Sequence, residues 1–178
     1  GTLDPMATGV LPVLVGRGVK ASEFMLASDK HYSATLLLGV TTDTEDVTGE
    51  VLTECDKIPS EAEVMDAIRS FVGEYMQTPP MYSALKVGGK KLYELAREGQ
   101  IIEREARAVF LHSIDAKKLS DREYFIDVKC SKGTYIRTLC KDIGEALGCG
   151  GCMAALRRVT AGEYTIEEAI PLDALVAA

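Results

Sequence analysis

Long apolar runs are missing from this sequence of 178 residues. The stretches Val10 to Val15 and Thr35 to Val40 are far shorter than the roughly 20 residues that a transmembrane helix needs. The sequence also lacks the positively charged region and following apolar segment of a secretory signal. We therefore expect a soluble, cytoplasmic protein that does not bind membranes.

Cysteine and histidine are too scattered to indicate a metal site or a disulfide framework. The five cysteines are an odd number, which suits free thiols in a reducing compartment. Cys149 and Cys152 have the spacing of a zinc or redox half-site, but His31 and His112 are not in a ligand-like spacing. The acidic turn Thr41 to Gly49 lacks the ordered oxygen ligands of a calcium loop. We predict that the protein binds no metal.

Internal repeats and low-complexity linkers are also absent, and the 47% apolar content is enough to bury the core of one domain. The apolar run Tyr32 to Val40 predicts a central strand. Alternation of apolar and polar residues predicts two more strands, Ala108 to Ile114 and Tyr124 to Cys130. A further apolar run, Val10 to Gly16, indicates a buried strand. A short helix, Val19 to Leu26, is expected to bury Phe24, Met25 and Leu26.

Two longer helices have clear start signals. Ser60 to Val72 begins with a capping box formed by Ser60 and Glu63 and has one apolar face. Tyr135 to Leu147 follows a turn in which Thr134 is the expected N-cap. Arg137 falls in the first turn of this second helix, on a side predicted to face away from the apolar face. Because an arginine at a helix N-terminus gains nothing from the helix dipole, we expect a carboxylate partner elsewhere in the chain.

The net charge of −7 argues against a nucleic-acid partner, since phosphate binding needs local positive potential. The basic residues are nevertheless concentrated, and one such stretch lies within residues 78–107. It interleaves aromatic with basic side chains, namely Tyr82, Lys86, Lys90, Lys91 and Tyr93. This mixture suits a mobile flap that lies along a phosphate backbone and stacks on exposed bases. A hairpin packed against the core explains the pattern at least equally well.

The first twelve residues, GTLDPMATGVLP, present one acid in a small-residue loop. Pro5 excludes the helical conformation for Asp4, and Gly9 allows the chain to turn tightly after it. The loop therefore holds the Asp4 carboxylate stiffly. An isolated Asp-Pro pair is more often a turn former than a catalytic group, so the loop alone does not decide between the two.

Four segments occur in an order and spacing typical of one enzyme family. They are GTLDPMATGVLP, DKHY before the predicted central strand, MYSALKVGGKKLYELAREG, and SKGTYIRTLCKDIGEALG followed by LRR. Together they resemble the TruB family of bacterial tRNA pseudouridine-55 synthases over nearly the whole chain. The resemblance implies one catalytic domain over residues 1–178 with an α+β fold. In this fold a mixed, largely antiparallel sheet is flanked by helices and crossed by an RNA-binding cleft.

The resemblance also implies an activity, a partner and roles for named residues. Members of the family isomerise uridine to pseudouridine in the T-arm loop of tRNA without cofactor or metal, so the expected partner is a T-arm stem-loop, bound by a monomer. Asp4 matches the catalytic aspartate, Tyr32 the tyrosine that stacks on the target base, and Arg137 the arginine that pairs with the aspartate. Tyr135 and Leu156 match residues that line the uracil pocket. Residues 78–107 match an RNA-gripping insertion, which makes Tyr82, Lys86, Lys90 and Lys91 candidate RNA contacts.

These residue types suit the chemistry. Exchange of an N-glycosidic for a C-glycosidic bond favours a nucleophile that can add and leave, as a carboxylate can. A guanidinium beside Asp4 stabilises its ionised form and fixes its orientation. Proton abstraction by Tyr32 is a secondary role, because an unperturbed phenol is a weak base at neutral pH.

Two parts typical of the family are expected to be missing from this chain. One is a preceding segment with a Lys-Pro-x-Gly motif and a histidine, and the other is a small C-terminal RNA-binding domain of the PUA type. We expect loss of the first to remove strand partners and part of the cleft, which bears on activity and stability, and loss of the second to weaken tRNA binding without changing the chemistry.

Two other functions fit part of the pattern. A guide-RNA-dependent enzyme that modifies ribosomal RNA shares the catalytic loop, although the compact MYSALK-type insertion favours the stand-alone tRNA enzyme. A non-catalytic RNA-binding module, in which Asp4 is merely a turn residue, belongs to a different class.

Overall fold

The computed structural model describes residues 2–176 and places the strand predicted to be central in the middle of the main sheet. Strand β2 (Lys30–Leu38) pairs antiparallel with β9 (Glu123–Cys130) on one side and with β10 (Gly151–Ala161) on the other. Beyond β9 lie β8 (Arg107–Lys118) and then β5 (Gly73–Gln77). Beyond β10 lies β1 (Thr8–Gly9), and β11 (Tyr164–Thr165) also pairs with β10. The pairing of β1 with β10 is parallel and the other pairs of this sheet are antiparallel.

Helices and two small hairpins connect these strands. The α-helices are α1 (Ser22–Ala27), α2 (Glu61–Ser70), α3 (Leu92–Arg97), α4 (Ile136–Ala146) and α5 (Leu172–Val176). Short 3-10 helices cover Gly16–Ala21 and Ile166–Glu168. One hairpin joins β3 (Val40–Thr42) to β4 (Val51–Glu54), and the other joins β6 (Lys86–Val87) to β7 (Lys90–Lys91). Within residues 2–176, every helix is too short or too polar to cross a bilayer.

The core lies between one face of the sheet and two helices. Helix α4 packs on β10 and β2, while α2 packs on β8. In β9 the alternation of side chains buries Tyr124, Ile126, Val128 and Cys130 on this face. The predicted capping box at Ser60 and Glu63 is present at the start of α2. The α+β fold with a largely antiparallel sheet and flanking helices is therefore confirmed.

The prediction of a buried strand at Val10 to Gly16 is wrong. The pairing of β1 with β10 ends at Gly9, after which the Val10 amide donates to the Arg158 carbonyl at 2.9 Å. Pro12 has no N–H to offer a sheet. Val10 is buried, but Val13 and Val15 are 75% and 81% exposed.

The burial predicted for the following helix is also wrong. Helix α1 forms after the 3-10 helix, but Phe24 is 81% exposed, Leu26 is 53% exposed and Met25 is only partly buried. Successive residues of an α-helix lie about 100° apart around its axis, so Phe24, Met25 and Leu26 cannot all face the same sheet.

Gly9 lies where β1 meets β10, and we expect its replacement by alanine to be costly. Its φ is +106°, and an added Cβ would lie 2.1 Å from the Arg158 carbonyl oxygen. Strain and overlap together are expected to lower the free energy of unfolding of G9A by about 2–4 kcal/mol. For G133A, where φ is +80° and nothing lies within 4 Å of the added Cβ, we expect a loss of only about 1 kcal/mol. Urea unfolding measures both losses, and equal values would contradict the close approach.

Candidate active site

The loop that carries Asp4 is short and internally bonded. The Asp4 carbonyl accepts a hydrogen bond from the Ala7 amide at 2.9 Å, closing a turn over Pro5 and Met6. The parallel pairing of β1 with β10 begins directly after this turn, at Thr8. The loop thus holds Asp4 at the edge of the sheet with 29% of its side chain exposed.

Arg137 binds the Asp4 carboxylate through two hydrogen bonds. Its Nε donates to Oδ2 of Asp4 at 2.7 Å and its Nη2 to Oδ1 at 3.0 Å. This two-pronged geometry fixes the plane of the carboxylate. Arg137 is only 4% exposed. The pairing with a distant carboxylate is present as predicted, but the side chain does not lie on an open face of α4.

The remaining donors of Arg137 reach two further segments. Its Nη1 donates to the Thr44 carbonyl at 2.9 Å, and its Nη2 also donates to the Tyr82 carbonyl at 2.8 Å. The carboxylate of Asp46 lies 3.9 Å from Nε. One guanidinium therefore contacts the Asp4 loop, the acidic turn after β3 and the start of the insertion. Sequence reasoning missed the contacts with Thr44 and Tyr82, because backbone carbonyls carry no residue signature.

The acidic turn is built to hold this arginine. Asp46 is 5% exposed, and its Oδ1 accepts hydrogen bonds from the Thr44 hydroxyl at 2.9 Å and from the Thr48 amide at 2.9 Å. Glu45 has a φ of 64° and accepts a hydrogen bond from the Thr138 hydroxyl at 2.5 Å. Burial raises the pKa of Glu45. The turn that resembled a calcium loop in composition thus fixes Arg137 and the start of α4.

Tyr32 and Leu156 lie on one face of the sheet, near the Asp4 loop. In the pairing of β2 with β10, Tyr32 is opposite Arg158 and Ala34 is opposite Leu156. Leu156 is 9% exposed and Tyr32 is partly buried. Burial raises the pKa of the Tyr32 phenol, and the negative charge of Asp4 adds a smaller rise. The two predicted site residues are therefore neighbours.

Tyr135 is the N-cap residue of α4, in place of the predicted Thr134. The Thr134 hydroxyl instead donates to the Ser131 carbonyl at 2.9 Å. The side-chain amide of Gln77 holds the Tyr135 backbone from both sides, accepting from its N–H at 2.8 Å and donating to its carbonyl at 3.0 Å. Gln77 is 1% exposed, so a buried amide fixes the backbone of the N-cap residue, whereas a capping hydroxyl would have accepted from an N–H in the first turn of the helix. Burial raises the pKa of the Tyr135 phenol.

The basic residues of the insertion lie on the hairpin of β6 and β7, not around Asp4. Lys86 and Lys90 are exposed, and Lys90 lies 3.4 Å from Glu98. The Lys91 ammonium donates to the Tyr93 hydroxyl at 3.2 Å. Tyr82 joins this hairpin to the site, since its carbonyl binds Arg137 and its hydroxyl lies 3.5 Å from Asp43. Leu92 and Leu95 of α3 are buried and anchor the insertion to the body of the protein.

Metal ligands do not converge in the described part of the chain. Among residues 2–176, no group of three or more His, Cys, Asp or Glu side chains has the arrangement needed to hold a metal ion. The five cysteines are free thiols. Burial raises the pKa of Cys152 to about 11, so this thiol is protonated at neutral pH.

Family models match the whole chain in two parts. The model described as TruB family pseudouridylate synthase (N terminal domain) matches residues 1–136. The model described as tRNA pseudouridylate synthase B C-terminal domain matches residues 137–178.

Curated relatives are similar over nearly all of the chain. The tRNA pseudouridine synthase B of Alkaliphilus oremlandii is 51% identical over 177 residues, which cover 99% of this chain and 59% of the relative. The protein of the same name from Clostridium novyi is 50% identical over 175 residues, covering 98% of this chain and 61% of the relative. The chain therefore spans about three fifths of the length of these relatives.

Solved structures share the fold. A chain from a Cbf5-Nop10-Gar1 complex aligns with a TM-score of 0.74 and 30% identity, covering 99% of this chain and 44% of that chain. A chain from an H/ACA RNP bound to a substrate RNA containing 2'-deoxyuridine aligns with a TM-score of 0.72 and 26% identity, covering 99% of this chain and 42% of that chain.

Proposed function

We propose, because the chain belongs to the TruB family of pseudouridylate synthases, that it isomerises uridine to pseudouridine in the T-arm loop of tRNA. The observation that carries the proposal is the bidentate pair of Asp4 and Arg137. Asp4 and Arg137 are 133 positions apart in sequence, and they meet at the edge of the sheet beside the partly buried Tyr32. A turn-forming aspartate needs no such partner.

In this proposal Asp4 is the nucleophile. Its carboxylate adds to the substrate and later leaves, so that the bond between uracil N1 and ribose C1′ breaks, the base turns, and a bond forms between uracil C5 and C1′. C5 loses its proton and N1 gains one. The product has the same atoms as the substrate, so no oxidant, reductant or cofactor enters the balance. Arg137 keeps the carboxylate ionised and aimed while the closing site excludes water.

Tyr32, Tyr135 and Leu156 form the proposed pocket for the extruded base. Taking a nucleotide out of its stack costs a few kcal/mol, and one stacking contact with an aromatic ring returns about 1–3 kcal/mol. Tyr32 is assigned this stacking role. The apolar side chain of Leu156, which follows the same face of the sheet, is assigned to the wall of the pocket.

The insertion, residues 78–107, is proposed to grip the RNA backbone. Its hairpin carries exposed Lys86 and Lys90, and its first residues touch Arg137 through the Tyr82 carbonyl. Tyr82, Lys86, Lys90 and Lys91 are the proposed contacts. The grip would thus be directly connected to the site.

Neutralising the insertion is expected to weaken tRNA binding and its salt dependence. Each lysine that contacts a phosphate contributes about 0.7–0.9 to the slope of log K against log salt, so K86Q/K90Q/K91Q should reduce that slope by about 2. Fluorescence anisotropy with a labelled T-arm stem-loop measures the slope. The control K57Q/K117Q/K129Q makes the same charge change at exposed positions outside the insertion and should leave the slope within about 0.5 of the parent value. Equal slopes for the two triple variants would contradict a grip by the insertion.

The activity is tested by incubating the 178-residue chain with a T-arm stem-loop and mapping pseudouridine chemically. Conversion of the loop uridine supports the proposal. Binding without conversion would favour the non-catalytic RNA-binding module. Conversion that requires an added guide RNA would favour the ribosomal RNA enzyme. The sequence identity of this chain to the tRNA pseudouridine synthase B of Alkaliphilus oremlandii is 51%, against 30% to the chain from the Cbf5 complex. We further propose that the chain acts as a monomer in the cytoplasm, where its substrate is found.

A further inference from the structure

Arg158, on β10, is a buried cation to which the proposed mechanism assigns no role. It is 3% exposed, and it lies two residues beyond Leu156 on the same face of the strand. Burying a guanidinium costs free energy unless its donors find partners. The partners that Arg158 has are therefore informative.

Two of its nitrogens bind the two ends of the Asp4 loop. Nε donates to the Val10 carbonyl at 2.8 Å, and Nη1 donates to the Thr2 carbonyl at 3.2 Å. These carbonyls stand on either side of Asp4 in the chain. The backbone of Arg158 adds a third contact, because its carbonyl accepts from the Val10 amide at 2.9 Å. The loop is thus closed at both ends on one residue of β10.

The third nitrogen shows that stability alone does not account for this arginine. Nη2 is buried and has no hydrogen-bond partner in the part of the chain that the structure describes. An unpaired buried donor destabilises a fold, so this nitrogen adds nothing to the stability that the other two supply. Arg158 also lies directly opposite Tyr32, where side chains share one face and lie close together. Hydrogen bonding between the Arg158 side chain and the phenol, and to a smaller extent the charge of Arg158, oppose the rise that burial causes in the pKa of Tyr32, as expected for neighbours.

We propose that Arg158 is a positioning residue that clamps both ends of the Asp4 loop and so holds the carboxylate in a fixed place beside Tyr32. The inference rests on the proposed function, and it gives Arg158 no contact with the substrate. Lysine cannot replace it, because a single ammonium on a flexible stem does not reproduce the planar fork that spans two carbonyls.

The test compares R158K and R158M with the parent chain and with R157M, which removes the adjacent, exposed arginine of the same strand. Single-turnover rates on a T-arm stem-loop at saturating protein are expected to fall about 100-fold in both Arg158 variants, the loss that a displacement of about 1 Å produces. The Kd for the stem-loop is expected to stay within about twofold of the parent value, because the clamp acts on chemistry and not on binding. R157M should keep the parent rate within about twofold.

Hydrogen exchange supplies a readout that does not depend on turnover. At 19.2 kDa the chain is suited to amide measurements by NMR. In R158K the amides of Ala7 and Val10, which are bonded within and at the end of the loop, should exchange at least about tenfold faster, since their local opening no longer breaks the clamp. The amides of α4 should keep their parent rates. R158K retains a charged side chain, so it provides the measurement if R158M does not fold.

Several outcomes would overturn the clamp. One is a single-turnover rate for R158K within twofold of the parent rate. Another is a lower single-turnover rate accompanied by faster amide exchange across the whole sheet, which would show global destabilisation. A parent chain without turnover would instead refute the proposed function; equal exchange of Ala7 and Val10 in parent and R158K would then still refute the clamp, and faster exchange would support it.

Discussion

D4N is expected to abolish pseudouridine formation, with turnover at least about 10,000-fold below that of the parent chain, as when a catalytic nucleophile is removed from other enzymes. Asparagine keeps the size of the side chain and can form the turn over Pro5, but its amide is a poor nucleophile and carries no charge. The affinity for a T-arm stem-loop should stay within about twofold, because the RNA is held mainly by phosphate contacts elsewhere. Chemical mapping of pseudouridine measures turnover, and anisotropy measures the affinity.

D66N is the matched control for this change. It makes the same substitution at an exposed aspartate on α2, 78% accessible and paired only with Arg69 on the surface. Its turnover should equal that of the parent chain. Residual turnover of D4N above about one hundredth of the parent rate would rule out Asp4 as the nucleophile.

Removal of Arg137 is expected to damage both stability and turnover. R137M leaves the Asp4 and Asp46 carboxylates without their cation and the Thr44 and Tyr82 carbonyls without a donor. Breaking a buried pair from one side typically costs about 3–5 kcal/mol, which urea unfolding would report. Turnover of the folded fraction should fall by about 1,000-fold, because the carboxylate is no longer held in one orientation.

R137K separates charge from geometry. Lysine restores a cation but not the bidentate fork, so we expect it to recover part of the lost stability while turnover stays about 100-fold below that of the parent. R69M, which removes a surface arginine that is 65% exposed, should change stability by no more than about 0.5 kcal/mol. Full recovery of turnover in R137K would show that charge alone suffices and that the fork has no part in the chemistry.

Much of the fold could be predicted because its signals are local. The strongly apolar run from Tyr32 to Val40 predicted the central strand, alternation predicted β8 and β9, and the capping box at Ser60 marked the start of α2. The same reasoning was wrong for Val10 to Gly16. Whether an apolar segment is buried depends on what packs against it, and that information lies outside the segment.

The candidate site likewise has contacts that could be predicted and contacts that could not. The resemblance predicted that Arg137 pairs with Asp4, and the bidentate contact is present. It did not reveal that Arg137 is buried, that Gln77 holds the Tyr135 backbone, or that Arg158 binds the Thr2 and Val10 carbonyls. The Gln77 and Arg158 contacts are made to main-chain atoms, which every residue type possesses, so no pattern of side chains predicts them.

Tyr82 links the insertion directly to the hydrogen bonds of the Asp4–Arg137 pair. Its carbonyl shares one nitrogen of Arg137 with the Asp4 carboxylate. Any displacement of the insertion at this residue therefore changes the hydrogen bonding of the cation that binds Asp4. Under the proposed function, we expect an RNA that does not displace the insertion correctly to lower the rate of reaction as well as the affinity.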